Sequence, residues 1–222
     1  MVKNIYTLFK HLNTKVFKER RENVATGVGR PKEYKQPEVI EIARDTFWKY
    51  GYANVSTQQL CEAIHLGKGS LYNAFKNKHH LFTLSLQQYV DEGNRMQREC
   101  FLGHSTVKDG VKALLDWAIS VDFNDKDTSG CFMINSYLER GNIDSEVSQI
   151  MTFHMETLKQ LMTDAFIQAR KNNELLEETL SIEEITEHFL MDYFGFRFMN
   201  TIAQESIDTA KKRNEMIIKA FF

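Results

Sequence analysis

Proline is nearly missing from this chain: it occurs only at Pro31 and Pro37. Proline interrupts helices in their interior, so everything after position 37 is open to long helices. Strand-like alternation of apolar and polar residues is absent, and no segment repeats. Long apolar runs are also missing. None approaches the ~20 residues of a membrane span; the best, "FLMDYFGFRFM", is broken by Asp192 and Arg197. The opening "MVKNIYTLFKHLN" has too short an apolar stretch for a signal peptide and no cleavage-like site. Cysteine is scarce, and Cys61, Cys100 and Cys131 share no metal-ligand spacing. They read as reduced thiols. The expectation is a cytoplasmic, all-α protein.

The marks of an enzyme are lacking too. "GVG" at 27–29 is no nucleotide motif, and "HLGKGS" is too short for a phosphate-binding loop. No cofactor is expected. The adjacent His79 and His80 face different ways on a helix, where i and i+4 share a face, so no metal site is expected.

What is present is an uneven distribution of charge. Residues 1–82 carry 14 Lys+Arg against 7 Asp+Glu, which leaves 14 against 23 for the rest. A basic third on an acidic body suggests that one part seeks an anion. Residues 4–21 put Ile5, Leu8, Phe9, Leu12 and Val16 on one stripe and predict an extra helix. "RPKEYKQP" then reads as a short basic arm.

A compact trio of helices follows. "PEVIEIARDTFWKYG" has a stripe of Ile40, Ala43, Phe47 and Tyr50 and stops at Gly51. "STQQLCEAI" starts on Ser56 as N-cap and buries Leu60, Ala63 and Ile64. After His65–Leu66–Gly67 comes "KGSLYNAF", so two helices joined by three residues form a helix-turn-helix. Further helices are predicted at roughly 78–102, 106–121, 131–140, 145–171, 182–204 and 207–220 from their periodicity.

On the "KGSLYNAF" helix, 100° per residue turns Leu71 and Phe75 inward and Gly69, Ser70 and Asn73 outward. Small and polar residues make a poor core. They suit a helix entering the DNA major groove, where the backbone must approach base edges. Lys68, Tyr72 and Lys78 would serve as flanking donors to phosphate.

These residues carry a resemblance. "STQQLCEAIHLGKGSLYNAFKNKHHLF" resembles the N-terminal domain of TetR/AcrR-type transcriptional repressors, with its threonine-led helix and K-G-[ST]-L-Y-x-x-F-x-x-K pattern. "GRPKEY" resembles the basic arm that often precedes that domain, and "SGCFMINSYLE" a segment of the "YNAF" subgroup. The resemblance implies an N-terminal extension at 1–29, a DNA-binding domain at 30–82 and an effector-binding and dimerisation domain at 83–222. It also implies a homodimer on a palindromic operator, released by a small-molecule or thiol-reactive effector. Thr57 and Gln58 would contact the DNA from the second helix. Lys68, Gly69, Ser70, Tyr72 and Asn73 would form the reading surface, Lys78 would grip a phosphate, and Arg30 and Lys32 would reach the minor groove. Three positions depart from the pattern. His65 stands at a turn position that usually holds glycine, Gly67 replaces the usual capping serine, and Ala74 replaces an aromatic.

In the C-terminal part, Trp117, Phe132 and Tyr137 flank the "DFNDKDTSG" loop and are the preferred pocket residues. Cys131 falls at a helix N-terminus, where the dipole favours a thiolate, and is the candidate sensor. Ile185, Phe189, Tyr193, Phe196 and Met199, with Ile217 and Phe221, read as more apolar surface than one domain covers. They are the expected dimer seam, with Gly195 allowing close approach. The alternatives to a regulator are a non-specific DNA-binding or interaction protein and, less favoured, a small helical enzyme.

Overall fold

Nine helices and no strand make up the described residues of the computed structural model, which are 35–123, 130–176, 179–202 and 206–222. The expected helix at 4–21, the arm residues Arg30 and Lys32, and most of the loop after Asp122 lie outside them. The helices are α1 (Gln36–Tyr50), α2 (Thr57–Ile64), α3 (Lys68–Phe75), α4 (Lys78–Glu99), α5 (Val107–Asp122), α6 (Phe132–Arg140), α7 (Ser145–Lys171), α8 (Ile182–Ile202) and α9 (Ile207–Phe221). Their starts follow from capping chemistry. Ser56 and Gln59 form a reciprocal capping box at α2, and Asn77, Thr106, Asp144 and Ser206 accept backbone N–H groups at α4, α5, α7 and α9. Each such cap contributes roughly 1 kcal/mol.

The first three helices close around Phe47, Leu60, Leu71 and Phe75. In α1 the inner stripe is Val39, Ala43 and Phe47. Ile40 is half-buried and Tyr50 is exposed, with Lys49 beside its ring. The stripe advances by four residues per step, which carries Tyr50 off the packed face in the last turn. Ala63 is likewise half-buried. Helix α4 ties the two halves of the chain together. Its Leu81, Phe82 and Leu86 complete the N-terminal core, with Phe82 edge-on to Phe47 at 5.1 Å, and its body packs on α7. The boundary expected at 82/83 therefore falls inside a continuous helix.

A second core joins α5, α7, α8 and α9 around Leu114, Leu158, Met162, Phe166, Phe189 and Tyr193. Here one expectation is corrected. Ile185, Phe189, Tyr193, Phe196, Ile217 and Phe221 are buried within the chain itself, and of the expected seam Met199 and Gly195 stay exposed. Helix α8 is apolar almost all round, so its periodicity marks a helix without telling inner face from outer. Among the described residues no helix is long and apolar enough to cross a membrane.

Candidate nucleic-acid interface and regulatory core

The turn before α3 needs a left-handed residue, and His65 adopts it at φ 53°, with Leu66 N–H donating back to Cys61 O at 3.1 Å. Gly67 caps α3 without a side-chain bond. Leu71 and Phe75 anchor α3 inward, while Lys68, Gly69, Ser70, Tyr72 and Asn73 are exposed. A Cβ added at Gly67 or Gly69 would meet nothing within 4 Å, so the outer side is open for close approach. The Lys68 ammonium lies 5.9 Å from the centre of the Tyr72 ring. Thr57 is half-buried at the start of α2; Gln58 is exposed and donates to Glu62 at 3.0 Å. The structure thus leaves the candidate α3 residues exposed around the buried Leu71 and Phe75.

One residue of this surface escaped the sequence reading. Lys76 ends α3 at φ 62° and ψ −58°, and Asn77 N–H donates to Phe75 O at 2.6 Å. This is a γ-turn with positive φ, a strained form. The signal was present: two residues separate Phe75 from α4, too few to reverse direction without a left-handed step. Lys76 is exposed.

Lys78, the first residue of α4, sits with its ammonium 4.2 Å from the Tyr52 ring, and Arg140 of α6 lies 4.1 Å from the same ring. Burial pushes the Lys78 ammonium down and Arg140 adds to this, against the pull of Glu139. Glu139, also on α6, accepts from the backbone N–H of Tyr52 at 2.8 Å and of Ala53 at 2.7 Å. Gly51 at φ 76° makes the turn that presents them. His79 and Arg140 both bond the Asp144 carboxylate, at 2.8 and 3.0 Å. Burial alone would raise that carboxyl, but these bonds outweigh it and hold it below its ordinary range. The C-terminal end of α6 therefore clamps the DNA-binding half.

The other end of α6 is Cys131, buried, whose Sγ accepts from the Tyr89 hydroxyl at 3.5 Å. Burial, with Cys131 adding, pushes the Tyr89 phenol well up. Phe132 packs among Trp48, Tyr89 and Phe82 at 5.6–6.1 Å. Trp117 lies elsewhere, against the C-terminal core with the Arg197 guanidinium 5.8 Å from its ring, and Tyr137 is exposed. The three preferred pocket aromatics occupy three separate environments.

Between α5 and α8 lies a polar centre that the sequence reading missed. Arg197, 3% exposed, grips Asp122 with Nε and Nη2 at 2.6–2.9 Å and donates to Tyr193 Oη at 3.1 Å. Asn200 also donates to Asp122, and Gln97 to Tyr193. Burial raises the Asp122 carboxyl against the pull of Arg197. Burial alone would lower Arg197, but attraction to Asp122 more than offsets this and keeps it protonated. A cleft of about 380 Å³ between the α4–α5 connection and α7 contains none of the candidate residues.

Residues 39–83 match the pattern of bacterial regulatory proteins of the tetR family. The chain belongs to the TetR family. Among curated relatives, it is 32% identical over 142 residues to the HTH-type transcriptional repressor ComR of Escherichia coli (strain K12), spanning 60% of this chain and 66% of that one. It is 21% identical over 178 residues to YezE of Bacillus subtilis (strain 168), an uncharacterized HTH-type transcriptional regulator, spanning 80% and 92%. Among solved structures, the TetR-family regulator CifR in complex with a 26-bp double-strand operator superposes with a TM-score of 0.72 at 21% identity, covering 87% of this chain and all of that one. A TetR-family regulator from Agrobacterium tumefaciens gives 0.73 at 16%, covering 83% and 96%. These relatives regulate transcription and are not enzymes.

Proposed function

We propose that this TetR-family chain is a ligand-responsive repressor that binds a palindromic operator as a dimer. The observation that carries the reading is the outer face of α3: open at Gly67 and Gly69, polar at Ser70 and Asn73, and flanked by Lys68, Lys76 and Lys78. Such a face serves no core, and it meets the needs of a helix in a major groove. The operator complex of CifR and the repressor role of ComR belong to those proteins and support the same reading here. Arg30 and Lys32, outside the described residues, would contact the minor groove, and Thr57 and Gln58 would contact the DNA from α2.

A second copy completes the molecule through α8. Met191, Gly195, Phe198 and Ile202 lie on one stripe of that helix, and the three larger residues are 67, 40 and 54% exposed. Nothing stands within 4 Å of a Cβ built at Gly195, which leaves room for a close partner helix. The effector acts at the start of α6, where Cys131 and Phe132 lie against Tyr89; Trp117 and Tyr137 stand apart from that point. It acts by favouring one position of α6, and hence one spacing of the two α3 helices; about 1–3 kcal/mol of preference is sufficient.

Selecting bound duplexes from a random pool at near-physiological salt tests the reading. One enriched inverted repeat is the expected result. Equal binding to all sequences, fading with salt, would instead favour the non-specific alternative. With the repeat in hand, release by a thiol-reactive compound in wild type but not in Cys131→Ser would identify the thiol as the sensor. Unchanged release in the variant would exclude it.

A further inference from the structure

We propose that Asn73 reads an adenine in each operator half-site, and that the half-site positions under α3 are specified through A·T rather than G·C pairs. The inference rests on the regulator reading above and deepens it.

The exposed α3 side chains differ in what they can distinguish. Gly69 presents no side chain at all, and the Ser70 hydroxyl both donates and accepts, so it matches several bases equally. Lys68 is a point charge lying against the Tyr72 ring. Lys76 is a second point charge, at the helix end. In the major groove guanine offers two acceptors, N7 and O6, and is matched by arginine or lysine, best by the rigid two-donor fork of arginine. Neither α2 nor α3 contains an arginine. Adenine offers an acceptor, N7, beside a donor, the N6 amino group, and a planar amide matches that pair with its own N–H and C=O.

Two amides could do this. Gln58 donates one of its two amide N–H groups to Glu62, which holds that side chain along its own helix. Asn73 is exposed, and no hydrogen bond from its amide is made among the described residues. Its side chain is short, so it reaches a base only where the backbone comes close. One turn earlier, on the same side of the helix, stands Gly69, with nothing within 4 Å of the position its Cβ would take. The bare glycine and the free amide therefore serve one contact, the first allowing the approach that the second requires.

The test uses full-length protein. Duplex selection is run on wild type and on Asn73→Ala, an exposed change to a better helix former that leaves the fold intact. Wild type is expected to enrich an inverted repeat with a fixed adenine at one position per half-site. Asn73→Ala should lose preference at that position alone and bind the wild-type operator roughly 5- to 150-fold more weakly, the span of one good bidentate pair. Placing 7-deazaadenine, which lacks the N7 acceptor, at that position should weaken wild type and leave Asn73→Ala unmoved. An inverted repeat whose preferences survive Asn73→Ala, or whose affected position is G·C, would overturn the assignment while the regulator reading stands. Absence of any repeat with wild type would fail the regulator reading itself, and this inference with it.

Discussion

Lys76 holds a backbone conformation that side chains disfavour. A non-glycine residue at φ 62° and ψ −58° costs on the order of 1–3 kcal/mol, and it persists because α3 and α4 are each fixed by their own buried residues, Phe75 and Leu81. Glycine would adopt the turn without strain, though it loses more freedom on folding. Lys76→Gly is therefore expected to stabilise the fold by about 1 kcal/mol, read as a raised urea midpoint with unchanged slope. It should at the same time weaken DNA binding by removing an exposed cation next to α3. Loss of stability in that variant would mean that the turn is not strained. His65, also left-handed, stands where the family pattern usually has glycine, which marks the position; Lys76 carries no such mark, its turn lying between two residues that both look helical.

At the scale of the helix, α6 joins the two halves, with Cys131 at its start and Glu139 near its end. Glu139→Ala removes the carboxylate that accepts from Tyr52 and Ala53. Being at the surface, the pair of bonds is worth roughly 1–2 kcal/mol. The variant is expected to lose about that much stability and to bind its operator less tightly, since Lys78 rests on the same Tyr52 ring. Wild-type values for both would show that α6 does not hold the DNA-binding half. The helix ends were legible because the capping Ser56 and the stop at Gly51 mark them, and the α3 face because its polar and apolar residues separate cleanly. The α8 faces were not. With Phe189 and Tyr193 on one side and Met191 and Phe198 on the other, only the neighbouring helices decide which side is inside. The buried pair of Asp122 and Arg197 was equally hidden, since each is usually a surface residue and they lie 75 positions apart.

For the molecule as a whole, the exposed stripe of α8 and the pH response matter most. Phe198→Glu puts a charge into the proposed contact between copies and is expected to give monomers on sedimentation at micromolar concentration, with operator binding weakened because each half-site then binds alone. A variant that stays dimeric would move the seam elsewhere. The acid limb of stability is expected to come in part from His154. Its imidazole is buried against Asn94 at 2.6 Å, and burial, helped by Arg197, lowers its pKa from 6.5 to about 4. Between those values the unfolded chain takes up a proton that the native state refuses. The stability is thus fully present above pH 6.5 and is lost as pH falls toward 4, by up to about 3 kcal/mol. Urea unfolding from pH 7 to 4.5 reads this directly. His154→Gln, which cannot titrate, should flatten the slope, and an unaltered slope would assign it to other groups.

The chain has two tryptophans, and both stand at points of interest. Trp48 lies 5.3 Å from the Tyr89 ring and 5.9 Å from Phe132, where α1, α4 and α6 meet, and Trp117 lies against Arg197. Indole emission responds to the polarity and the quenchers around it. The protein consequently carries one optical reporter beside the start of α6 and another in the C-terminal core, and candidate effectors can be titrated in plain buffer, without label or DNA. Trp48→Phe and Trp117→Phe would separate the two signals and tell which region answers an effector.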